Sequence, residues 1–236
     1  MTMTSTHELA PLLKSLGCRT TAHDIPAAAL EPISAFLAQE LSNRELYRIQ
    51  RLFASSGIPK NQIRTFDQFN WGFNATSPKN DFLAFRNSPW VEQAANLVLI
   101  GDAGIGKSHL AKALCHDAIT KGTSAFFVST FDLVSKIKKA ASPSTKIDYY
   151  AKAIQVLCID ELGYAFHQKE DTDLIFQIIS KRSELLPTIV TSNLPPKQWG
   201  SIFSGPAASA ILDRLSFNGT FLAWEGKSYR VHKKKK

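Results

Sequence analysis

Gly101-Asp102-Ala103-Gly104-Ile105-Gly106-Lys107-Ser108 decides how this chain is read, because it joins the end of a strand to the start of a helix through a glycine-rich turn. The run Asn96-Leu97-Val98-Leu99-Ile100 before it is short, apolar and β-branched enough for a buried parallel strand. Residues 108–121 after it carry apolar positions at helical spacing. That is the context a phosphate-binding loop requires. Gly101, Gly104 and Gly106 permit positive φ, so backbone N–H groups turn inward as an anion nest above a helix N-terminus whose dipole also favours negative charge. Lys107 is spaced to reach the β- and γ-phosphates of a nucleotide, and the Ser108 hydroxyl to ligate Mg²⁺. The nucleotide-binding candidates are therefore residues 101–108 together with His109, and the implied ligands are ATP and Mg²⁺.

A second apolar run, Val156-Leu157-Cys158-Ile159, delivers Asp160 and Glu161 at its end. In an open parallel sheet, ligands bind at the carboxyl ends of the strands, which brings this Walker B pattern beside the loop despite the long sequence separation. Asp160 is expected to hold the Mg²⁺ shell, and Glu161 to orient or deprotonate an attacking water. Pro187-Thr188-Ile189-Val190-Thr191 reads as another buried strand, with Ser192 and Asn193 at its exit. A side-chain amide there can hydrogen-bond both a γ-phosphate and the lytic water; taken alone, Ser-Asn is an ordinary turn signal. Between these runs lie a strand at residues 125–128, a helix capped by Ser129 or Thr130 that runs to about residue 140, and a helix capped by Asp171 or Thr172.

At 236 residues, 44% hydrophobic and 20% charged, the chain is long enough for one sizeable core plus a smaller appendage. No stretch has the eighteen or more apolar residues of a membrane span, and the first eight residues lack the basic start and apolar centre of a signal peptide, so a cytoplasmic location is expected. Cys18, Cys115 and Cys158 form no C-x-x-C pair and read as free thiols. The net charge of +8 and a pI near 9.4 make a polyanionic partner plausible, nucleic acid before membrane.

Residues 1–75 read as a small helical module ahead of a core at 76–232 and a basic tail at 233–236. Leu9, Leu12, Leu13 and Leu16 mark a first helix stopped at Gly17, a second spans about residues 27–41, and a third is capped by Ser42 or Asn43 with Glu45 in its first turn. Its apolar stripe is Leu46, Ile49, Leu52 and Phe53, and Arg44, Arg48 and Arg51 lie on the other face, either as a solvated basic face or as DNA contacts. Lys136, Lys138, Lys139 and Lys146 form a second cluster, for which binding of a DNA backbone is set slightly above plain solvation. The aromatic residues from Phe66 to Trp90 suit core packing better than base stacking.

The segments 156–164 (VLCIDELGY), 188–200 (TIVTSNLPPKQWG), 210–215 (AILDRL) and 225–230 (EGKSYR), in this order after the loop, resemble the IstB branch of the IstB/DnaC-like AAA+ ATPases. The resemblance extends over about residues 5–232. It implies an α/β fold: an AAA+ P-loop NTPase core with a five-stranded parallel sheet, a small helical N-terminal module and no C-terminal lid domain. By that likeness Asn193 is sensor 1 and Arg214 is an arginine finger for a neighbouring subunit, the other reading of Arg214 being a helix-end salt bridge. Arg182 and Arg230 are the two candidates for a further nucleotide-contacting arginine.

The resemblance also implies a function. IstB-type proteins are ATP-dependent DNA-binding transposition helpers that form a homo-oligomer, ring or spiral, on target DNA, with ATP sites at subunit interfaces, remodel the DNA and recruit a partner transposase. DnaC-type relatives load a replicative helicase. A P-loop small-molecule kinase begins with the same loop, but Asp160, Glu161 and Asn193 together suit water as the acceptor.

Overall fold

The computed structural model describes residues 6–163, 169–201, 203 and 207–233. Tyr164 of the 156–164 family segment and Lys234, Lys235 and Lys236 of the tail lie outside the described residues. The chain divides into two compact units, Met1–Arg51 and Leu52–Lys236, so residues 52–75, read above with the helical module, count with the second unit.

The first unit contains α1 (Thr6–Ser15) and most of α2 (Ala27–Ser55). Leu9, Leu13, Ala22 and Leu37 are its core, with Leu12, Leu16, Leu30 and Ile33 packed around them, so the three- and four-residue spacing of α1 is the buried stripe. At the end of α1 the N–H groups of Gly17 and Cys18 return to the carbonyls of Lys14 and Leu13, the paired bonds of a Schellman stop. The sequence reading splits α2 at residues 41–43; the structure does not. Asn43 Oδ1 accepts from Gln39 Nε2 at 3.1 Å and Glu45 pairs with Arg48 at 2.9 Å, so both side chains serve the helix surface and neither Ser42 nor Asn43 caps a helix. Strong helix formers on either side, Ala38-Gln39-Glu40-Leu41 and Arg44-Glu45-Leu46, carry the helix through this polar pair. Leu46, placed above in an apolar stripe, is exposed.

In the second unit, α3 (Lys79–Asn87) precedes β1 (Asn96–Ile100), α4 (Lys107–Thr120), β2 (Ala125–Ser129), α5 (Thr130–Lys138), α6 (Pro143–Asp148), β3 (Val156–Asp160), α7 (Lys169–Arg182), β4 (Thr188–Ser192), α8 (Ala207–Ser216), β5 (Gly219–Ala223) and α9 (Tyr229–Lys233). Five strands form one sheet in the order β2-β3-β4-β1-β5, with every neighbouring pair parallel. Strands β1, β3 and β4 are buried at every residue, as apolar runs covered on both faces must be, while the edge strands β2 and β5 are partly exposed. Val98, Ile100, Leu157, Ile159 and Val190 meet Leu133, Ile137, Ile175, Ile178 and Ile211 from the helices in the main core.

Local signals start the helices. Ser129 Oγ accepts from the Asp132 N–H and so caps α5; Ser142 caps α6 with Pro143 in its first turn. Asp171 and Thr172 do not cap α7: both are buried inside its first turn, and Asp171 pairs with Lys138 at 2.5 Å. Cys115 and Cys158 are buried free thiols and Cys18 is an exposed one. Among the described residues no helix is long and apolar enough to cross a membrane, and only α9 follows β5.

Candidate nucleotide-binding site

The sheet order places the site. The crossover from β1 to β2 skips two strands, and β4 then lies between β1 and β3, so the exits of all three open into one crevice. There a cavity of about 930 Å³ is lined by residues 103–109 of the loop, by Glu161 after β3, by Thr191 and Asn193 at the exit of β4, and by Arg230 after β5. Asp160 lies behind it: the Ser108 hydroxyl donates to Asp160 Oδ1 at 2.8 Å, joining residues 52 positions apart.

Gly106 is the N-cap of α4 at φ 110, a left-handed conformation, and a side chain there would run into the Phe69 ring. No side chain caps α4, so its first-turn N–H groups remain available to an anion in the cavity. Lys107 is 6% exposed, and its ammonium donates to the carbonyls of Gly101 at 2.6 Å and Asp102 at 2.7 Å. Burial pushes its pKa down to about 8, partly offset by the Asp160 carboxylate. A desolvated cation, an anion nest and an uncapped helix N-terminus on one void fit the phosphates of a nucleotide. The hydroxyl–carboxylate pair fits a Mg²⁺ ion whose remaining ligands are phosphate oxygens and waters, which needs no cage of three protein ligands; none occurs among the described residues.

Thr191, which the sequence reading passes over, organises the acidic end. Its hydroxyl donates to Asp160 Oδ1 at 2.5 Å and accepts the Glu161 N–H at 3.0 Å. Glu161 sits at φ 60, an uncommon conformation for this residue type, held by that bond and by the Leu162 N–H to the Thr191 carbonyl. Asn193 is presented by a tight exit: Ser192 Oγ donates to the Leu162 carbonyl and accepts the Leu194 N–H, and the buried Trp199 indole donates to the Leu194 carbonyl. The Trp of the 188–200 segment therefore fixes the loop that carries Asn193.

Residues from the segment 62–77 form a further wall of the cavity, a part of the site the sequence does not announce. Gln62, Arg64, Phe69, Phe73 and Asn74 all line the cavity. His109 Nε2 bonds the Thr65 carbonyl at 2.9 Å and meets Phe69 edge-on, while burial lowers its pKa, so His109 ties this wall to α4. Phe66, Trp71 and Phe82 pack together as expected of core aromatics.

Two arginines separate cleanly. Arg182 is fully buried in the core and donates to the Thr188 hydroxyl and to the carbonyls of Tyr150, Ile154, Gln155 and Pro187; burial pushes its pKa down to about 9, and it stays charged at neutral pH. Only Arg230 of the pair lines the cavity. Arg214 is not among the lining residues: it sits in the last turn of α8, bonds the Ala210 carbonyl and stacks on Phe176 at 4.9 Å. Its own carbonyl is bonded by Asn96 at the start of β1, the end away from the loop. Among the basic candidates, Arg44 pairs with Glu40 and Arg48 with Glu45 on α2, where Arg51 is also exposed. Lys136, Lys139 and Lys146 line one groove of about 510 Å³ with Tyr149 and Tyr150, whereas Lys138 is engaged with Asp171.

A single parallel sheet with the loop at β1, paired carboxylates at β3 and a polar amide after β4 defines a P-loop nucleotide-binding fold of the AAA+ type. The family model for the IstB-like ATP binding protein matches residues 6–236, and the chain belongs to that family. It is 34% identical over 196 residues to the insertion sequence IS232 putative ATP-binding protein of Bacillus thuringiensis subsp. berliner, covering 81% of this chain and 77% of that one. Among solved structures, DnaI matches with a TM-score of 0.60 at 21% identity over 70% of this chain and 94% of its own. The DnaC helicase loader matches with a TM-score of 0.56 at 23% identity over 67% and 95%. These two likenesses are of fold.

Proposed function

We propose that this protein is an ATP-hydrolysing, DNA-binding transposition helper that oligomerises on target DNA, remodels it and recruits or activates a partner transposase, with hydrolysis as the switch. The observation that carries the reading is the convergence of Lys107, Ser108, Glu161 and Asn193 on one cavity, with Asp160 bonded behind Ser108, in a chain of the IstB-like family. Lys107 leaves its two carbonyls for the β- and γ-phosphates; Ser108 with Asp160 would hold a Mg²⁺ ion, which would supply neutralisation of phosphate charge. Glu161, facing the same void, takes the proton of the attacking water, and Asn193 orients that water against the γ-phosphorus. Arg214, remote from its own cavity, acts on the nucleotide of a neighbouring subunit.

DNA contacts are assigned to Lys136, Lys139 and Lys146 with a secondary share for Arg44, Arg48 and Arg51, mainly on phosphates. A cytoplasmic setting goes with this reading. The test is ATP turnover with and without duplex DNA, followed by capture of the partner transposase on the same DNA. Turnover raised by DNA, with transposase recruited only in the presence of ATP, supports the proposal. Phosphoryl transfer to a small molecule and indifference to DNA would replace it with a kinase, and delivery of a hexameric helicase to single strands would replace it with a loader.

A further inference from the structure

The groove of about 510 Å³ lies where α5, α6 and the turn after α6 meet the edge strand β2, and it shares no lining residue with the nucleotide cavity. Part of its lining is aromatic. Phe126 of β2, Tyr150 and Tyr149 follow one another as a ladder of rings, with successive centroids 5.5 Å and 5.3 Å apart. The chain leaves α6 through a wide π-type turn, Tyr149–Ala153, that buries Tyr150 at 1% exposure and leaves Tyr149 41% exposed. Tyr150 is therefore core, and Tyr149 is the ring a ligand can reach.

The charged lining is basic throughout: Lys136 and Lys139 from α5 and Lys146 from α6. Among the described residues none of the three has a carboxylate partner. The acid nearest in the chain, Asp148, is taken up by Lys181 at 2.7 Å and Lys152 at 3.1 Å, and these two lysines hold its carboxyl below the usual range. It leaves the charge of the groove uncancelled. The Lys146 ammonium lies over the tyrosine faces, 4.8 Å from the Tyr149 centroid and 5.3 Å from that of Tyr150.

A solvated basic face needs no exposed ring, and core packing needs no lysines around it. Cations set about an open aromatic face are what unpaired nucleic acid requires, phosphates going to the cations and a base to the ring. Inside an intact duplex each base is covered by its neighbours, so a ring can stack only on one that has left the helix. We infer that Tyr149 stacks an unpaired DNA base in this groove while Lys136, Lys139 and Lys146 hold the flanking phosphates. In the free protein the Lys146 ammonium covers the ring face; its flexible stem lets it pass to a phosphate as the base takes its place. Every base has a π-face, so the site is tolerant of sequence. This inference rests on the reading of the groove as a DNA contact.

The test is binding of the full chain to three DNAs of one sequence: a paired duplex, the same duplex with one unpaired 5-iodouracil, and the single strand carrying that base. Wild type should prefer the two DNAs with an unpaired base, and illumination should crosslink the iodouracil to Tyr149; whichever of the two binds more tightly names the source of the base. In Tyr149→Ala that preference and the crosslink should disappear, with affinity for unpaired-base DNA down about fivefold to a hundredfold and its salt slope unchanged. Tyr149→Phe, which keeps the ring, should keep the preference. Replacing Lys136, Lys139 and Lys146 together by alanine should instead flatten the salt slope on all three DNAs. If that slope stays as in wild type, the DNA reading of the groove fails. Should the slope flatten while Tyr149→Ala keeps wild-type affinity and preference, the stacking inference alone is overturned.

Discussion

Lys107 is the residue on which the site's chemistry turns. Its ordinary pKa near 10.5 is pushed down to about 8 by burial, so the free protein holds a cation that its surroundings disfavour. A bound phosphate restores the charged form and raises that pKa, so above pH 8 binding takes up a proton. Nucleotide affinity should accordingly be flat below pH 8 and fall about tenfold per unit above it, until the pKa of the complex is reached. Titrations at several pH values between 7 and 9.5 read this directly, and a flat profile would detach Lys107 from the phosphates. Glu161 carries the second residue-level prediction: Glu161→Gln should keep nucleotide affinity and lose at least a hundredfold in turnover, because Ser108 and Asp160 survive while the proposed base does not. Single-turnover hydrolysis at saturating ATP distinguishes this from a binding defect. Lys107, Ser108, Asp160, Glu161 and Asn193 were legible because each stands at a fixed offset from an apolar strand. Thr191 was not: a hydroxyl inside an all-buried strand has no local signal, and its bonds to Asp160 and Glu161 exist only once β3 and β4 pair.

Elements were legible where periodicity was strong and opaque where a shape depends on remote partners. Strands β1 to β4 follow from short apolar runs, α4 from helical spacing and α5 from its capping serine, whereas β5 was implied only by the family resemblance; residues 62–77 and 224–230 have no period to read, and their course is set by side-chain-to-backbone bonds such as Asn74 to Lys227. Arg182 shows the same limit: read from the sequence as a candidate nucleotide-contacting arginine, it has no local signal that its guanidinium is enclosed in the core. In the fold it fastens α7 to the turn before β3 and to the start of β4. Removing it leaves several buried carbonyls without a donor, so Arg182→Ala should cost about 3 kcal/mol or more in denaturant unfolding, far beyond a surface change. The lysines of α5 and α6 divide in a related way. Replacing Lys136, Lys139 and Lys146 by alanine should weaken DNA binding and flatten its salt dependence, while Lys138→Ala, which strands the buried Asp171, should lower stability and change the salt slope least. An unchanged slope in the triple variant would return that groove to a solvated face.

For the molecule as a whole, the decisive feature is that Arg214 and the cavity lie towards opposite ends of β1. A subunit so built holds its own Arg214 away from its own nucleotide site, and on the proposed reading a neighbour in a ring or spiral would present it. Removing Arg214 should then leave nucleotide affinity of the isolated subunit nearly intact and lower DNA-dependent turnover on the order of a thousandfold. The most direct measurement mixes two inactive proteins on DNA and follows phosphate release. Lys107→Ala keeps its Arg214 and Arg214→Ala keeps its loop, so mixed assemblies should regain part of the activity that neither protein has alone. Co-assembly of the two on DNA with no recovery at any mixing ratio would contradict hydrolysis completed between subunits.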